Sequence, residues 1–201
     1  TGWMNLGAYR VMVHDRNSVG YYISPGKHGR VHRDKYQARG EPMPTCVVIG
    51  GDPMTFLTAC NEAPAGVCEY DYVGALRGEA LKVVKGPITG IPFPADAEIV
   101  LEGYVHPTMR REEGPFGEWT GYYAGGEKEE PVIQIKRVYH RDDPILTCAA
   151  SQKPPHSHLY ERCFIRSAAL LDSLDGAGIP DVTDVWVHQG GSGRTFVVLA
   201  I

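Results

Sequence analysis

Apolar and polar positions alternate over residues 6–14 (Leu-Gly-Ala-Tyr-Arg-Val-Met-Val-His) and 19–23 (Val-Gly-Tyr-Tyr-Ile). This pattern predicts two strands joined by a hairpin turn at Asp15-Arg16-Asn17-Ser18, the second stopped by Pro25-Gly26. Residues 28–39 are polar and basic without proline, which predicts a short exposed helix before the Gly40–Pro42 break, and residues 45–50 read as a buried strand. Asp52-Pro53 supplies an N-cap and a proline at the first helical position, ahead of Met54, Leu57 and Cys60 at helical spacing. Another short helix is expected near residues 72–77. Between residues 81 and 106 three apolar stretches are cut by Gly86-Pro87, Gly90 and Pro92-Phe93-Pro94, and further strands are expected over 117–124 and 131–139. The middle of the chain is therefore mainly sheet.

The first long helical pattern spans His158 to Leu174, with Leu159, Cys163, Ile165, Ala168, Ala169, Leu170 and Leu171 on a broad apolar face. Strands at 182–187 and 195–201 then flank Gly190-Gly-Ser-Gly193. That glycine run lies between two strands and not ahead of a helix, so it reads as a hairpin loop and not as a phosphate cradle. The change from sheet to helix divides the chain into a domain of residues 1–155 and the beginning of another at 156–201. The chain opens in a sequence already strand-like and closes on an apolar strand, so a fragment of a longer protein is expected.

Composition narrows the classes. With 24 Gly and 15 Pro among 201 residues and 43% hydrophobic content, the chain is globular and rich in turns. Lys plus Arg number 20 against 24 Asp plus Glu, a net charge of -4, so no global basic field exists to hold a nucleic acid. No apolar run reaches the roughly 18–20 residues of a membrane span, and no export signal is evident. The five cysteines form no C-x-x-C and read as reduced packing residues of a soluble cytoplasmic protein.

Three segments carry candidate chemistry. Glu113-Gly-Pro-Phe-Gly-Glu118 holds two carboxylates around a turn that cannot be helical. Two acids held close push their pKa values apart, which suits proton transfer near neutral pH; on spacing alone the same segment also describes a surface turn with two solvated acids. In Asn5-Leu-Gly-Ala-Tyr-Arg10 a carboxamide precedes a guanidinium, and an inward-facing Arg10 would need an anion, whereas an edge strand would leave it in solvent. His28 follows Pro25-Gly26-Lys27, and Glu69 follows Pro64-Ala-Gly-Val-Cys68. An amide oxygen, an imidazole and a carboxylate suit Mg²⁺ or Mn²⁺ better than structural zinc, although sequence alone does not join Asn5, His28 and Glu69. His156-Ser-His158 is a second metal pair or, next to Pro154-Pro155 and a helix start, a loop or cap. The common nucleotide and hydrolase motifs are absent.

Taken in order, Asn5-Leu-Gly-Ala-Tyr-Arg10, Pro25-Gly-Lys-His28, Glu69-Tyr-Asp-Tyr-Val-Gly-Ala-Leu-Arg-Gly78 and Glu113-Gly-Pro-Phe-Gly-Glu118 resemble the UbiD family of reversible decarboxylases that use prenylated FMN. The resemblance covers most of residues 3–147. It implies an α+β, mainly β fold: a split β-barrel flavin-binding domain of the flavin-reductase kind, followed by the start of an α/β C-terminal domain. It further implies a divalent ion, Mn²⁺ or Mg²⁺, on Asn5, His28 and Glu69, with K⁺ beside it, and a catalytic network of Glu113, Arg10 and Glu118. In that network Arg10 orients the substrate carboxylate and Glu118 protonates the carbon that lost CO₂. The backbone at Leu6, Gly7 and Ala8, with Lys27, would hold the cofactor phosphate, and Trp119 would line the flavin or substrate.

The implied activity is decarboxylation, or the reverse carboxylation, of an aromatic, heteroaromatic or α,β-unsaturated acid. A flavin prenyltransferase would supply the cofactor, and the full-length protein would be a homo-oligomer. An FMN-dependent reductase-like protein and a non-catalytic subunit of a carboxylase assembly are the competing readings. The family's chains are more than twice this long, and the substrate-defining residues lie largely outside this chain.

Overall fold

The structure is a computed structural model, and it describes residues 2–61, 63–118, 121–123, 125–148 and 158–201. The chain divides into two compact units, one of residues 1–113 and 127–147, the other of residues 114–126 and 148–201.

The first unit is built on a five-stranded antiparallel sheet in the order β1-β2-β7-β6-β3. Its strands are β1 (Arg10–Asp15), β2 (Ser18–Tyr22), β3 (Met43–Ile49), β6 (Ile99–Glu113) and β7 (Lys128–His140). Three helices, α1 (His28–Ala38), α2 (Pro53–Ala59) and α3 (Glu69–Arg77), and a hairpin of β4 (Val83–Lys85) and β5 (Pro92–Pro94) complete it. One face of the sheet carries the core: Val19, Tyr21 and Ile23 from β2 and its end, Met43, Val105 and Ile133, with Tyr36 of α1 packed against them. The register explains this grouping, since Val19 pairs with Ile133, Ile133 with Val105 and Val105 with Met43, so alternate residues of four strands share that face. The intervening residues Arg10, Met12, Gly20 and Tyr22 take the other face.

Several expectations are corrected. The first strand begins at Arg10 and not at residue 6, so Asn5 lies outside it. The first helix is not simply exposed, because Gly29 and Arg33 are buried. Asp52 caps α2 as expected, accepting from Met54 N at 3.1 Å, but Met54 and Phe56 are exposed and Thr55 is the buried residue. Among the described residues of 117–124 there is no strand, and a single bridge joins Gly117 and Tyr123. Cys148 is exposed and does not pack, while the five cysteines are all free.

The second unit holds α4 (His158–Gly176) and a hairpin of β8 (Asp184–Val187) and β9 (Val197–Ala200). The glycine run between these strands forms a 3₁₀ turn, Gln189–Gly191, capped by the His188 side chain, so the hairpin-loop reading holds. Leu159 and Cys163 of α4 and Val185 and Val187 of β8 are buried, and the Ser167 hydroxyl accepts from Val187 N at 2.8 Å. His156 lies outside the described residues. The chain is thus a mixed fold of helices and strands, with strands predominating. Among the described residues no helix is long and apolar enough to cross a membrane.

Candidate active site

The segment before β1 is strapped to the helices by its own polar groups. Trp3 Nε1 donates to Val67 O at 3.1 Å, Ala8 N donates to Ala59 O at 2.9 Å, and the Trp3 ring packs edge-on against His28 and His32. Glu69, in the first turn of α3 and 2% exposed, accepts from Leu6 N at 2.8 Å through Oε2. Tyr9 joins the segment to α1: its hydroxyl accepts from Asn5 Nδ2 and from Gly29 N, both at 3.1 Å. Gly29 allows this close approach, since a Cβ there would fall 2.7 Å from that hydroxyl and push the Tyr9 ring aside.

These anchors leave a small, solvent-open cleft. Asn5, Leu6, Gly7, Ala8, Lys27, His28 and Glu69, all predicted from sequence to bind the cofactor or its metal, line it together. Sequence reasoning missed Tyr9 and Asn61, which line the same cleft; Tyr9 stands inside the Asn5–Arg10 motif but has no charge to single it out. Of the three predicted phosphate-binding amides, those of Leu6 and Ala8 already donate within the chain, while that of Gly7 makes no hydrogen bond among the described residues. The N-terminus of α1 opens here with no acidic residue in its first turn and no side-chain cap from Lys27, an environment that favours an anion.

The donor set fits a hard divalent ion. Asn5 commits its amide nitrogen to Tyr9, which leaves its oxygen for a cation, and Glu69 commits one oxygen to Leu6 N. Among the described residues no three His, Cys, Asp or Glu side chains gather; this set has two of those types plus the carboxamide. Nearby, burial together with Lys35 and His28 lowers the pKa of His32, disfavouring a further positive charge beside the cleft.

Removing the Tyr9 hydroxyl is the direct test of this anchoring. Tyr9→Phe leaves the Gly29 amide and the Asn5 side chain without their shared acceptor, and is expected to cost about 1 kcal/mol in urea unfolding.

Arg10 and Glu113, also predicted from sequence, are brought together as an ion pair. Arg10, from the start of β1, donates through Nε at 3.0 Å and through Nη2 to Glu113 Oε1, and its guanidinium lies 4.4 Å over the Tyr22 ring. β1 is an edge strand of the sheet, yet Arg10 is half-buried and paired with Glu113 and does not stand free in solvent. The Glu113 side chain is fully buried, whereas that of Arg10 retains 30% exposure. Glu113 ends β6 opposite Lys128 and is followed by a cis Gly114-Pro115 peptide.

Glu118 belongs to the second unit, in a turn where its amide donates to Tyr122 O and its carbonyl accepts from Gly121 N, both at 2.9 Å. In that unit burial and Arg162 lower the pKa of Arg194, and the Glu118 charge acts in the opposite direction. Trp119 lies outside the described residues.

The chain matches the family model described as the 3-octaprenyl-4-hydroxybenzoate carboxy-lyase Rift-related domain over residues 1–154. Over 185 residues it is 36% identical to a pyrrole-2-carboxylic acid decarboxylase of Pseudomonas aeruginosa, covering 92% of this chain and 37% of that protein. Among solved structures it is similar to the UbiD-class enzyme HmfF of Pelotomaculum thermopropionicum in complex with prFMN, with a TM-score of 0.84, 32% identity and coverage of 96% of this chain and 44% of that one. It is also similar to vanillic acid decarboxylase of Sedimentibacter hydroxybenzoicus in closed form, with a TM-score of 0.85, 30% identity and coverage of 97% and 40%. The chain spans about two fifths of the length of the curated relatives it matches.

Proposed function

The chain belongs to the UbiD family, and from that premise we propose that it is the cofactor-binding part of a cytoplasmic carboxy-lyase that uses prenylated FMN to decarboxylate an aromatic, heteroaromatic or α,β-unsaturated acid reversibly. The observation that carries this reading is the Arg10–Glu113 pair, with its carboxylate fully buried, in the same compact unit as the cleft lined by Asn5, His28 and Glu69. On this reading the first unit is a split β-barrel of the flavin-reductase kind, residues 156–201 begin an α/β C-terminal domain, and the full-length protein is a homo-oligomer. The P. aeruginosa and S. hydroxybenzoicus relatives, named for pyrrole-2-carboxylic and vanillic acid, support the substrate class.

Each residue then has a physical task. Asn5, His28 and Glu69 would hold Mn²⁺ or Mg²⁺, with K⁺ beside it, against the cofactor phosphate; Lys27, the Gly7 amide and the N-terminus of α1 add favourable charge for that anion. Prenylated FMN, when bound, supplies the electron sink that no amino-acid side chain provides for the pair left by departing CO₂. The partly exposed edge of Arg10 takes the substrate carboxylate, and Glu113 fixes the guanidinium plane. Glu118 delivers the proton to the carbon vacated by CO₂. Trp119 lines the flavin or substrate.

Native mass spectrometry with absorption spectra of the full-length protein, co-expressed with a flavin prenyltransferase, tests this reading. Prenylated FMN together with one divalent ion is the expected result. Plain FMN alone would favour a reductase-like protein, and absence of any flavin would leave a non-catalytic subunit.

A further inference from the structure

The two buried carboxylates of the sheet are treated very differently. Glu102 receives hydrogen bonds on both oxygens, three on Oε1 and one from Tyr139 on Oε2. Glu113 receives both of its Arg10 bonds on Oε1, and its Oε2 is buried with no partner among the described residues. A buried carboxylate oxygen without a donor is costly, so this orphan demands an explanation.

A second orphan borders the same glycine, Gly20. Nε2 of His14, on β1, is also buried and unpartnered. Both atoms close on Gly20 of β2: a Cβ built there would lie 2.7 Å from Glu113 Oε2 and 3.0 Å from His14 Nε2. Gly20 is a buried residue in a strand interior, where glycine weakens the strand and marks the close approach of another group. The groups that approach are one acceptor without a donor and one imidazole nitrogen, which can be a donor.

We infer that His14 is a positioning residue for Glu113: its Nε2–H is donated to Glu113 Oε2 through one bridging water, beside the Cα of Gly20. The donor satisfies the second oxygen, so the carboxylate plane is held from both sides, by Arg10 on Oε1 and by His14 on Oε2. This inference rests on the proposed reading for its consequence. When a substrate carboxylate engages Arg10, the hold of Arg10 on Glu113 weakens, and the His14 donor keeps the buried carboxylate in place. The hydrogen bond selects one tautomer of His14, with the proton on Nε2.

The tautomer is read directly from long-range ¹H–¹⁵N spectra of histidine-labelled protein without flavin, with the His14 signals assigned by their loss in His14→Gln. The expected result is a proton resident on Nε2 in the parent and a mixture of tautomers in Glu113→Met, which keeps the bulk and removes the acceptor. A bare Nε2 in the parent, or the same tautomer in Glu113→Met, overturns the inference.

Should Glu113→Met fail to fold, the full-length holoenzyme offers a second test. His14→Gln keeps an N–H donor and is expected to hold kcat within a few-fold. His14→Phe fills the space without a donor and is expected to lose kcat by roughly tenfold to a hundredfold. Equal kcat in these two variants overturns the inference. The tautomer needs neither cofactor nor turnover, so a failure of the decarboxylase reading would leave it unmoved.

Discussion

Glu118→Gln in the full-length protein is expected to keep flavin and metal and to lose turnover by roughly 10²–10⁴-fold, the range for removing a general acid. The substitution is isosteric, and the turn that carries the residue is held by backbone bonds to Tyr122 and Gly121 that the side chain does not make. The proposed cofactor and metal ligands Asn5, Lys27, His28 and Glu69 are left unchanged, so binding of the cofactor is not expected to weaken. What changes is the transferable proton: a carboxamide can still hydrogen-bond but has no acidic proton to give to carbon. Single-turnover product formation, measured beside native mass spectra of the same sample, separates the two effects. Turnover at the parent rate with bound flavin would assign the proton to another group, whereas loss of the flavin would mean that the residue supports the site and not the chemistry.

Features whose physics is local were the ones legible in the sequence. The Asp52-Pro53 start of α2 needs only the neighbouring Met54 amide, and the β1–β2 turn needs only the Asp15 carboxylate, which accepts from Asn17 N at 3.1 Å. Long-range pairing was not legible. β6 continues through Arg110-Arg-Glu-Glu113, a polar run without alternation, because Arg111, Glu112 and Glu113 find register partners in Glu130, Glu129 and Lys128. Conversely, the aromatic stretch near residue 120 looked strand-like, yet beyond the Gly117–Tyr123 bridge no described residue there belongs to a strand. The buried face of α2 was misread because Thr55, although polar, turns inward with its hydroxyl toward Asp52 Oδ2 at 3.4 Å.

The site followed the same division. Residue types suggested a hard-cation set and an acid–base turn, but only the resemblance joined Asn5, His28 and Glu69, which are far apart in sequence and meet at one cleft. Tyr9, Gly20 and His14 escaped notice because their significance lies in close approach, which no spacing within a single strand encodes.

Glu102→Ala is expected to produce the largest loss of stability of any single substitution considered, about 3 kcal/mol. The Glu102 carboxylate is fully buried in β6 and accepts from Ile88 N at 3.0 Å, Thr89 N at 2.6 Å, Thr89 Oγ1 at 2.8 Å and the Tyr139 hydroxyl at 2.6 Å. Truncation leaves those donors facing a cavity, and each unsatisfied donor costs roughly 1–3 kcal/mol before relaxation and entering water offset part of it. For a chain of this size the loss corresponds to a fall in Tm of roughly 6–12 °C.

The consequence reaches the cleft. The loop that Glu102 holds joins β4 to β5; Phe93 of β5 packs on the Tyr139 ring, and the Tyr70 hydroxyl donates to Pro92 O at 3.4 Å, tying β5 to the first turn of α3, where Glu69 sits. Burial alone would raise the Glu102 pKa, but the Tyr139, Thr89 and Ile88 donors outweigh it and hold the carboxyl below its usual range. The folded pKa is therefore depressed. The stabilisation is fully present above the unfolded value, about 4.3, and is lost as pH falls through the folded value below it. Urea unfolding between pH 3 and 7 should show the parent losing this contribution at the acid end. Glu102→Gln, which cannot ionise, should start from a lower stability and show less of that acid dependence. Parallel acid profiles for the parent and Glu102→Gln would mean that the four hydrogen bonds do not distinguish carboxylate from acid, and the depressed pKa would then have no structural source.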